Sequence, residues 1–471
     1  MRRKYPRSFA LILSLAVICI GRANPTSIES HQDQTVKIGV TLVQVDAVVT
    51  DDHGNPVRDL KPEDFEVFED GHKQRISNFS FINTLSSPAQ PHPAAVKPPD
   101  KSALYIPPPN LLPEQVKRTI ALVVDDLSMS PSSIIETKQA LKKFVSDRME
   151  PGDLVAVIRT GGGMGALQQF TSDKRRLYAA IDRIWWNPFG NGGISAVPAI
   201  GGAPIRAADI NVPPDNLSSG FSGDDRQIAE ESRRQIFAAG TLGAVNYVVK
   251  GLAELPGRKS VVLMSEGFPV NYERGRDTRI FDLLRQLADL ANRASVVVYT
   301  IDPRGLVDLG LTAADDVGRM TPQEVERSLD ARSDAFRQSQ EALLYLAAET
   351  GGLAVRNSND IVRGLDRVMN DQNGYYLIGF IPDEKTFKTV NGARPFHDVK
   401  VSVKRAGLHV RYHHGFYGIS DQEIHAVPQT RAQQMAAALI SPFSSGGISV
   451  KLTSLFSTSK KSGRFVRSLV H

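Results

Sequence analysis

Residues 126–130 place one carboxylate and two hydroxyl groups in a very short stretch. Asp126, Ser128 and Ser130 form an Asp-x-Ser-x-Ser set, and a second aspartate, Asp125, directly precedes it. Hard oxygen ligands of this kind suit Mg²⁺ or Mn²⁺, and Mg²⁺ keeps several waters, so few protein groups are needed. The spacing therefore predicts a divalent-metal site, in which either Asp126 or Asp125 supplies the carboxylate.

The flanking residues predict a strand before this loop and a helix after it. Residues 120–124 are an unbroken apolar run that ends in polar residues, which is typical of a central parallel strand covered on both faces. A helix follows, and it starts either at Pro131 or at a capping box of Ser133 and Glu136. The loop is thus expected at the carboxyl end of a buried strand.

From residue 118 to residue 372 the pattern alternates between apolar runs and helical periodicity. Strands are predicted at 120–124, 154–159, 166–170, 260–264, 295–301 and 353–355. Helices are predicted at 131–149, 173–185, 226–255 with a break near Gly240, 276–293, 321–350 and 359–371. This alternation predicts an α/β fold with a doubly wound, mostly parallel sheet, in which ligands bind beyond the carboxyl ends of the strands. Asp126 and Glu266 both follow such ends.

The residues from Val123 to Ser130 resemble the metal-ion-dependent adhesion site of von Willebrand factor A-type domains. The chain as a whole resembles a branch of secreted bacterial proteins related to those domains and best known from Acidobacteria. Further matches to this branch are Asp64–Gly71, Pro151–Val157, Phe170–Asp173, Leu255–Lys259 and Gly374–Gly379.

This resemblance implies the rest of the metal site. In A-type domains the Asp-x-Ser-x-Ser loop is joined by a threonine from a second loop and an aspartate from a third. Thr241, which follows Gly240, corresponds to the threonine, and Glu266 stands where an aspartate is usual. If the strand order is that of A-type domains, the strands before Asp126 and Glu266 flank the switch point. The resemblance also implies adhesion-type binding of a protein that offers a carboxylate.

The amino terminus predicts a secretory signal peptide over residues 1–23. Four basic residues within 2–7 precede an apolar run at 9–20, and Gly21-Arg22-Ala23 follows it. The apolar run is shorter than the roughly 20 residues that a membrane-spanning helix needs. The mature protein is therefore expected to be secreted or extracytoplasmic, with no stable membrane span.

Composition excludes several classes of site. The chain has 471 residues, 41% of them hydrophobic, and a formal net charge of +5. The leader holds five basic residues and no acidic one, so the mature chain is neutral and gives no reason to expect a nucleic-acid partner. The only cysteine, Cys19, also lies in the leader, which excludes disulfides and zinc–thiolate sites from the mature protein.

Smaller β modules are predicted on both sides of the α/β region. Residues 36–83 alternate as a β-sandwich-like module, residues 84–117 form a Pro-rich linker, and residues 373–418 form a carboxyl-terminal β region. Residues 187–226, rich in Gly and Pro, are expected to be a mobile insert, and Trp185, Trp186 and Phe189 are expected to pack its near end. Residues 419–471 form a tail, and the resemblance implies that a further β module starts there.

Three functions remain compatible with the sequence. The first is a binding module in which bound Mg²⁺ or Mn²⁺ accepts a carboxylate from a protein partner. The second is a metal-free structural protein of the cell envelope. The third is a secreted hydrolase, which the absence of Gly-x-Ser-x-Gly, His-Glu-x-x-His and Walker A motifs disfavours, so the chain is not expected to be an enzyme.

Overall fold

The structure is a computed structural model, and the residues it describes belong to the compact unit Thr41–His471. The described residues are 42–83, 112–162, 169–188, 190, 197–201, 223–253, 255–268, 278–388, 395–417, 430–431, 452–459 and 463–470. The predicted signal peptide and most of the predicted linker lie outside these residues.

The amino-terminal described segment forms four strands. They are β1 (Val43–Asp51), β2 (Phe65–Glu69), β3 (His72–Gln74) and β4 (Ile76–Asn83). In β2 buried and half-buried residues alternate, as expected for a strand with one face on a core. Asp51 ends β1 by accepting hydrogen bonds from the backbone amides of His53, at 2.9 Å, and Asn55, at 2.8 Å. This acidic residue therefore serves a turn.

The middle of the chain alternates strands and helices, as the sequence predicts. Its elements are β5 (Arg118–Val124), α1 (Pro131–Asp147), β6 (Asp153–Arg159), α2 (Lys174–Asp182), α3 (Gly223–Ala253), β7 (Arg258–Met264), α4 (Thr278–Arg293), β8 (Val296–Ile301), α5 (Pro322–Glu349), β9 (Ala354–Val355) and α6 (Ile361–Gln372).

The five strands form one parallel sheet in the order β6-β5-β7-β8-β9. The chain leaves β5 for β6 on one side and returns to β7 on the other, so the switch point lies between β5 and β7. Val124 and Met264 are register partners at the carboxyl ends of these strands. The α/β fold class is confirmed, and the loops after β5 and β7 meet at the switch point.

The two faces of the sheet bury two separate cores. Alternate β5 residues such as Ile120 and Leu122 pack with α1, α2 and α6. Their neighbours Ala121 and Val123 pack with α3, α4 and α5. Burial on both faces explains why the sequence of β5 contains a continuous apolar run.

Helix α3 differs from the sequence prediction because it continues without a break through Gly240. Its segment Ser232–Ala253 has the length and hydropathy of a candidate membrane span. Leu242, Val245 and Val249 of this segment are fully or almost fully buried in the core under α3, α4 and α5. The apolar composition of α3 therefore serves packing against the sheet.

After α6 the chain returns to antiparallel structure in β10 (Gly374–Phe380), β11 (Phe396–Val403), β12 (Leu408–Arg411) and β13 (Gly415–Tyr417). These strands pair with the amino-terminal ones in two sheets, β12-β1-β10-β4 and β13-β11-β2-β3. The prediction of two separate β modules at 36–83 and 373–418 is thus corrected. They form one β-sandwich with a shared core, and the α/β domain is inserted between β4 and β10.

Several smaller predictions concern segments of which the structure describes only a part. The predicted strand at 166–170 has only residues 169–170 described, and neither belongs to a strand. Of the predicted insert, Gly190 accepts a hydrogen bond from Arg233, and Ile200 donates from its amide to Asp315 at 2.6 Å. Phe189 lies outside the described residues, whereas Trp186 packs against the core. In the tail, β14 (Leu452–Ser459) and β15 (Gly463–Val470) form a hairpin.

Candidate functional site

The loop after β5 is fixed at both of its ends. The Asp125 amide donates to the Met264 carbonyl at 2.9 Å, which extends the β5–β7 pairing by one residue. At the other end Ser130 caps α1, and its hydroxyl oxygen accepts from the Ser133 amide at 3.4 Å. Helix α1 begins at Pro131, one of the two starts that the sequence left open.

The Asp125 carboxylate is the centre of a group of hydroxyls that come from four loops or helices. Thr160 and Thr241 donate to Oδ1 at 2.9 and 2.7 Å, and Ser265 donates to Oδ2 at 2.7 Å. The Ser128 hydroxyl is also hydrogen-bonded to this carboxylate. Burial raises the pKa of Asp125, and the hydroxyl hydrogen bonds oppose that rise because they favour the charged form.

The adjacent Asp126 faces a different environment. Its Oδ2 atom lies 2.6 Å from Arg159 Nη2 and accepts a second hydrogen bond from Arg159 Nε. Its Oδ1 atom accepts from the Gly161 amide at 2.8 Å. The Arg159 guanidinium also stacks on Trp185, 4.4 Å from the ring centroid. The Asp126 charge is therefore balanced by a protein cation.

Glu266 lies at the amino terminus of α1. Its Oε1 atom accepts from the Ser130 amide at 2.7 Å, and the hydroxyls of Ser130 and Ser133 are also hydrogen-bonded to the carboxylate. A helix amino terminus favours a negative charge. Burial nevertheless raises the pKa of Glu266, and the opposing contributions come from these hydrogen bonds and from Arg304.

The five residues predicted from the sequence thus fall into three groups. Ser128 and Thr241 lie with Asp125, Ser130 lies with Glu266, and Asp126 lies with Arg159. All five are at least nine-tenths buried. Metal binding by these five residues remains a prediction. Of the two aspartates that the sequence left open, it is Asp125 that lies with Ser128 and Thr241.

Sequence analysis missed Thr160 and Ser265, although a signal for both was present. Each is the first polar residue after a buried strand, β6 or β7, and both strands flank β5. Carboxyl ends of adjacent parallel strands meet at one edge of the sheet, so polar residues at these positions are brought together.

Leu127, which follows the two aspartates, lies close to three glycines from other segments of the chain. A Cβ atom placed on Gly161 would lie 2.9 Å from the Leu127 side chain, and one placed on Gly240 would lie 3.7 Å from it. A Cβ on Gly190 would overlap the Leu127 carbonyl. Close approach of these three chain segments therefore depends on glycine at 161 and 190.

The chemistry of the oxygen set is compatible with a hard cation. Asp125 supplies one buried carboxylate, and Ser128, Thr241 and Ser265 supply neutral hydroxyls on the same carboxylate. Among the described residues no group of three or more His, Cys, Asp or Glu residues could hold a metal, so a soft-metal or zinc-type set is not found there. Hydroxyl oxygens can instead turn toward a cation, as the Ser or Thr of phosphate-binding loops does for Mg²⁺.

Comparisons with known proteins do not establish a family. No family model matches the chain, and no curated protein matches it. Among solved structures, an aerotolerance-related membrane protein from Bacteroides fragilis is 14% identical, with 54% of this chain and 98% of that chain covered, at a TM-score of 0.26. The conserved hypothetical protein BatB from Bacteroides thetaiotaomicron is 12% identical, with 55% and 98% covered, also at 0.26.

A third solved structure is an uncharacterized membrane-spanning protein from Vibrio fischeri. It is 15% identical, with 54% of this chain and 98% of that chain covered, and its TM-score is 0.14. TM-scores this low carry no argument about fold or function. The fold class is therefore established by the strand order and helix placement of the chain itself.

Proposed function

We propose that the protein is a binding module that acts outside the cytoplasm, with a Mg²⁺ or Mn²⁺ site at the switch point of its parallel sheet. The observation that carries the proposal is the convergence of the Ser128, Thr160, Thr241 and Ser265 hydroxyls on the Asp125 carboxylate. A location outside the cytoplasm is supported by the signal-peptide pattern of residues 1–23 and by the mature chain's lack of cysteine.

The proposed ligand set centres on Asp125. Ser128 and Thr241 are included as ligands because the resemblance implies them. Ser265 is added because its hydroxyl lies 2.7 Å from the same carboxylate. Asp126 is left out because the Arg159 guanidinium already neutralises it, and a cation beside Arg159 would meet electrostatic repulsion. Glu266 would act at longer range, through the Ser130 end of the loop.

The proposed partner is a protein that offers an Asp or Glu side chain. Of the groups gathered at Asp125 only the carboxylate is charged, so an ion held there would keep a net positive charge. Divalent ions with few protein ligands retain exchangeable waters, and a carboxylate oxygen is a suitable replacement for one of them. Binding needs no general base, so the proposal does not invoke enzymatic activity.

A second candidate function is a metal-free structural protein of the envelope. One observation favours it: each carboxylate of the loop already has protein partners, hydroxyls for Asp125 and a guanidinium for Asp126. A hydrogen-bonded network of this kind can stabilise a loop without an ion. The two candidates differ in whether divalent ions and chelators change the behaviour of the protein.

The experiment uses Mn²⁺ as a paramagnetic probe on the mature protein. Water-proton relaxation should rise when Mn²⁺ binds, because the bound ion tumbles slowly with the protein while it keeps exchangeable waters. It should fall when added glutarate replaces one of those waters. Glutaramide, which has the same skeleton without charge, is the matched control and should have no effect. No rise with Mn²⁺ would favour the metal-free candidate, and a rise insensitive to glutarate would exclude the carboxylate partner.

A further inference from the structure

The β-sandwich and the α/β domain meet in a polar joint at the end of the sheet opposite the candidate metal site. Arg411 of β12 pairs with Asp371 of α6, and Asp371 accepts a 2.7 Å hydrogen bond from the Tyr299 hydroxyl of β8. Arg258, at the start of β7, stacks on Tyr375 of β10 at 4.0 Å from the ring centroid. Charged side chains of both modules thus meet in this joint.

A cavity of about 10 Å³ lies in this joint. The sandwich contributes Asp46 of β1 and His413, which follows β12. The α/β domain contributes Arg258, Asn292 and the segment around Thr350. A volume of roughly 10–15 Å³ on this measure holds one water molecule, provided that two to four polar groups face it.

Three polar atoms on this cavity's lining residues have no hydrogen-bond partner in the described part of the chain. They are Nε and Nη1 of Arg258 and Oδ1 of Asn292. Arg258 is 5% exposed and Asn292 is 8% exposed. The amide group of Asn292 is oriented by its other atom, because Nδ2 donates to the Glu349 carbonyl at 3.1 Å. Two residues that line the cavity thus carry donor and acceptor atoms without a partner among the described residues.

Such groups are costly to bury without partners. An unsatisfied buried donor or acceptor destabilises the folded protein, and a charged group does so more strongly. Buried polar groups are satisfied by protein or by ordered water in nearly all proteins. The unpartnered atoms of Arg258 and Asn292 therefore call for a bound molecule that can both accept and donate hydrogen bonds.

We infer that the joint binds one ordered water molecule that links the two modules through Arg258, Asn292 and Asp46. A water oxygen can accept from one of the two Arg258 groups, Nε or Nη1, which lie on opposite edges of the guanidinium. Its two hydrogens can be donated, one to Asn292 Oδ1 and one to the carboxylate of Asp46, which lines the same cavity. The water thus bridges the charged groups of Arg258, in the α/β domain, and Asp46, in the sandwich.

A bound anion is the alternative, and the charges of the residues that line the cavity disfavour it. Arg258 would attract a halide, but Asp46 lines the same cavity of about 10 Å³ and would repel it. The nearby pair of Arg411 and Asp371 is already neutral as a unit. Adding an anion would therefore leave the joint with excess negative charge, whereas water leaves its charge unchanged.

Crystals of the full mature chain, grown with sodium bromide in place of sodium chloride, test the inference at a resolution that resolves waters. The expected result is a density peak within hydrogen-bond distance of Arg258 and Asn292, without the anomalous signal of bromide. An anomalous peak would identify an anion site instead. An empty cavity would overturn the inference as well.

A pair of variants gives a second readout. Asn292→Leu removes the acceptor at nearly the same side-chain size, so the density peak should disappear. Asn370→Leu, at an exposed position of α6, is the matched control and should leave the peak in place. Should Asn292→Leu not fold, Asn292→Asp keeps an acceptor oxygen at nearly the same size and should retain the water. Loss of the peak in Asn292→Asp, or its persistence in Asn292→Leu, would contradict the assignment.

Discussion

Two neighbouring aspartates in one loop have opposite environments. Asp125 is surrounded by hydroxyls, whereas Asp126 is paired with Arg159, and both are almost completely buried. The sequence points to the other aspartate, because Asp126 has the Asp-x-Ser-x-Ser spacing and Asp125 does not. The difference comes from β6, whose end places Arg159 beside Asp126 and Thr160 beside Asp125.

Replacing Asp126 by Ala should destabilise the protein rather than remove a ligand. The change leaves the Arg159 guanidinium without its carboxylate and the Gly161 amide without its acceptor. Breaking a buried ion pair by removing one partner costs about 3–5 kcal/mol, so we expect a loss of about 3 kcal/mol in the free energy of unfolding. Urea unfolding measures it.

The matched control for that change is Asp59→Ala, since Asp59 pairs with Arg405 at the surface at 3.1 Å. Exposed pairs contribute about 0–1 kcal/mol, so this variant should unfold almost as the wild type does. Equal losses in the two variants would contradict the structural role of the Asp126–Arg159 pair.

At the scale of elements, the strands and helices of the α/β domain follow closely from the sequence. The apolar run at 120–124 predicts β5, and helical periodicity predicts α1 and α6. The predicted break in α3 is wrong because tertiary packing outweighs the low helix propensity of Gly240. Leu242 and Val245, buried against the sheet just after it, keep the helix continuous.

The turn after β7 requires a glycine because of its backbone conformation and a close neighbouring chain segment. Gly267 has a φ of +75°, and a Cβ there would overlap the Ser339 carbonyl of α5. We expect Gly267→Ala to lower the free energy of unfolding by about 2 kcal/mol or more, through backbone strain and displacement of the loop that carries Glu266. Thermal unfolding followed by circular dichroism measures the change.

Gly243 provides the comparison, because it lies inside α3 and a Cβ there meets nothing within 4 Å. Gly243→Ala should be neutral or stabilise the helix by up to about 1 kcal/mol. If Gly267→Ala proved as harmless as Gly243→Ala, the loop after β7 would not be held against α5 in the way described.

At the scale of the whole molecule, the main feature that the sequence did not reveal is the shared β-sandwich. Alternation of apolar residues predicts strands in 36–83 and 373–418, but a local pattern carries no information about which strands pair. Strand β10 lies between β1 and β4, about 300 residues away in the chain, so the pairing depends on the long-range fold.

Truncation tests this architecture. A chain that ends at Asn373 lacks β10, so β1 and β4 lose their common neighbour and Phe65 loses its 5.1 Å ring contact with Tyr376. We expect this chain to aggregate or to lose the antiparallel sheet signal in circular dichroism. A chain that ends at Tyr417 keeps all eight strands of the sandwich and should unfold like the full chain. Similar behaviour of the two truncations would contradict a sandwich built from both ends.

Acid should weaken the joint between the two modules. Burial, with a smaller contribution from the nearby His414 in the same direction, lowers the pKa of His413 to about 4. An unfolded histidine titrates near 6.5, so the unfolded state binds more protons between about pH 6.5 and 4, and stability falls as pH drops through that window. The free energy of unfolding should therefore be smaller at pH 5 than at pH 7.

The variant His413→Gln isolates this contribution, because glutamine keeps a polar side chain but does not titrate. Asp46 and Arg258 face the same cavity and remain unchanged in the variant. The difference in unfolding free energy between pH 7 and pH 5 should be smaller in His413→Gln than in the wild type. An identical difference in the two proteins would mean that His413 is not buried in its neutral form.

The most direct test of the proposed function is calorimetric titration of Mg²⁺ and Mn²⁺ into the mature wild type, Asp125→Asn and Asp126→Asn. These two substitutions have the same size and remove the same charge from adjacent positions. The account predicts binding to the wild type, loss of binding in Asp125→Asn, and retention in any folded Asp126→Asn protein. Loss in Asp126→Asn with retention in Asp125→Asn, or no binding to the wild type, would contradict it.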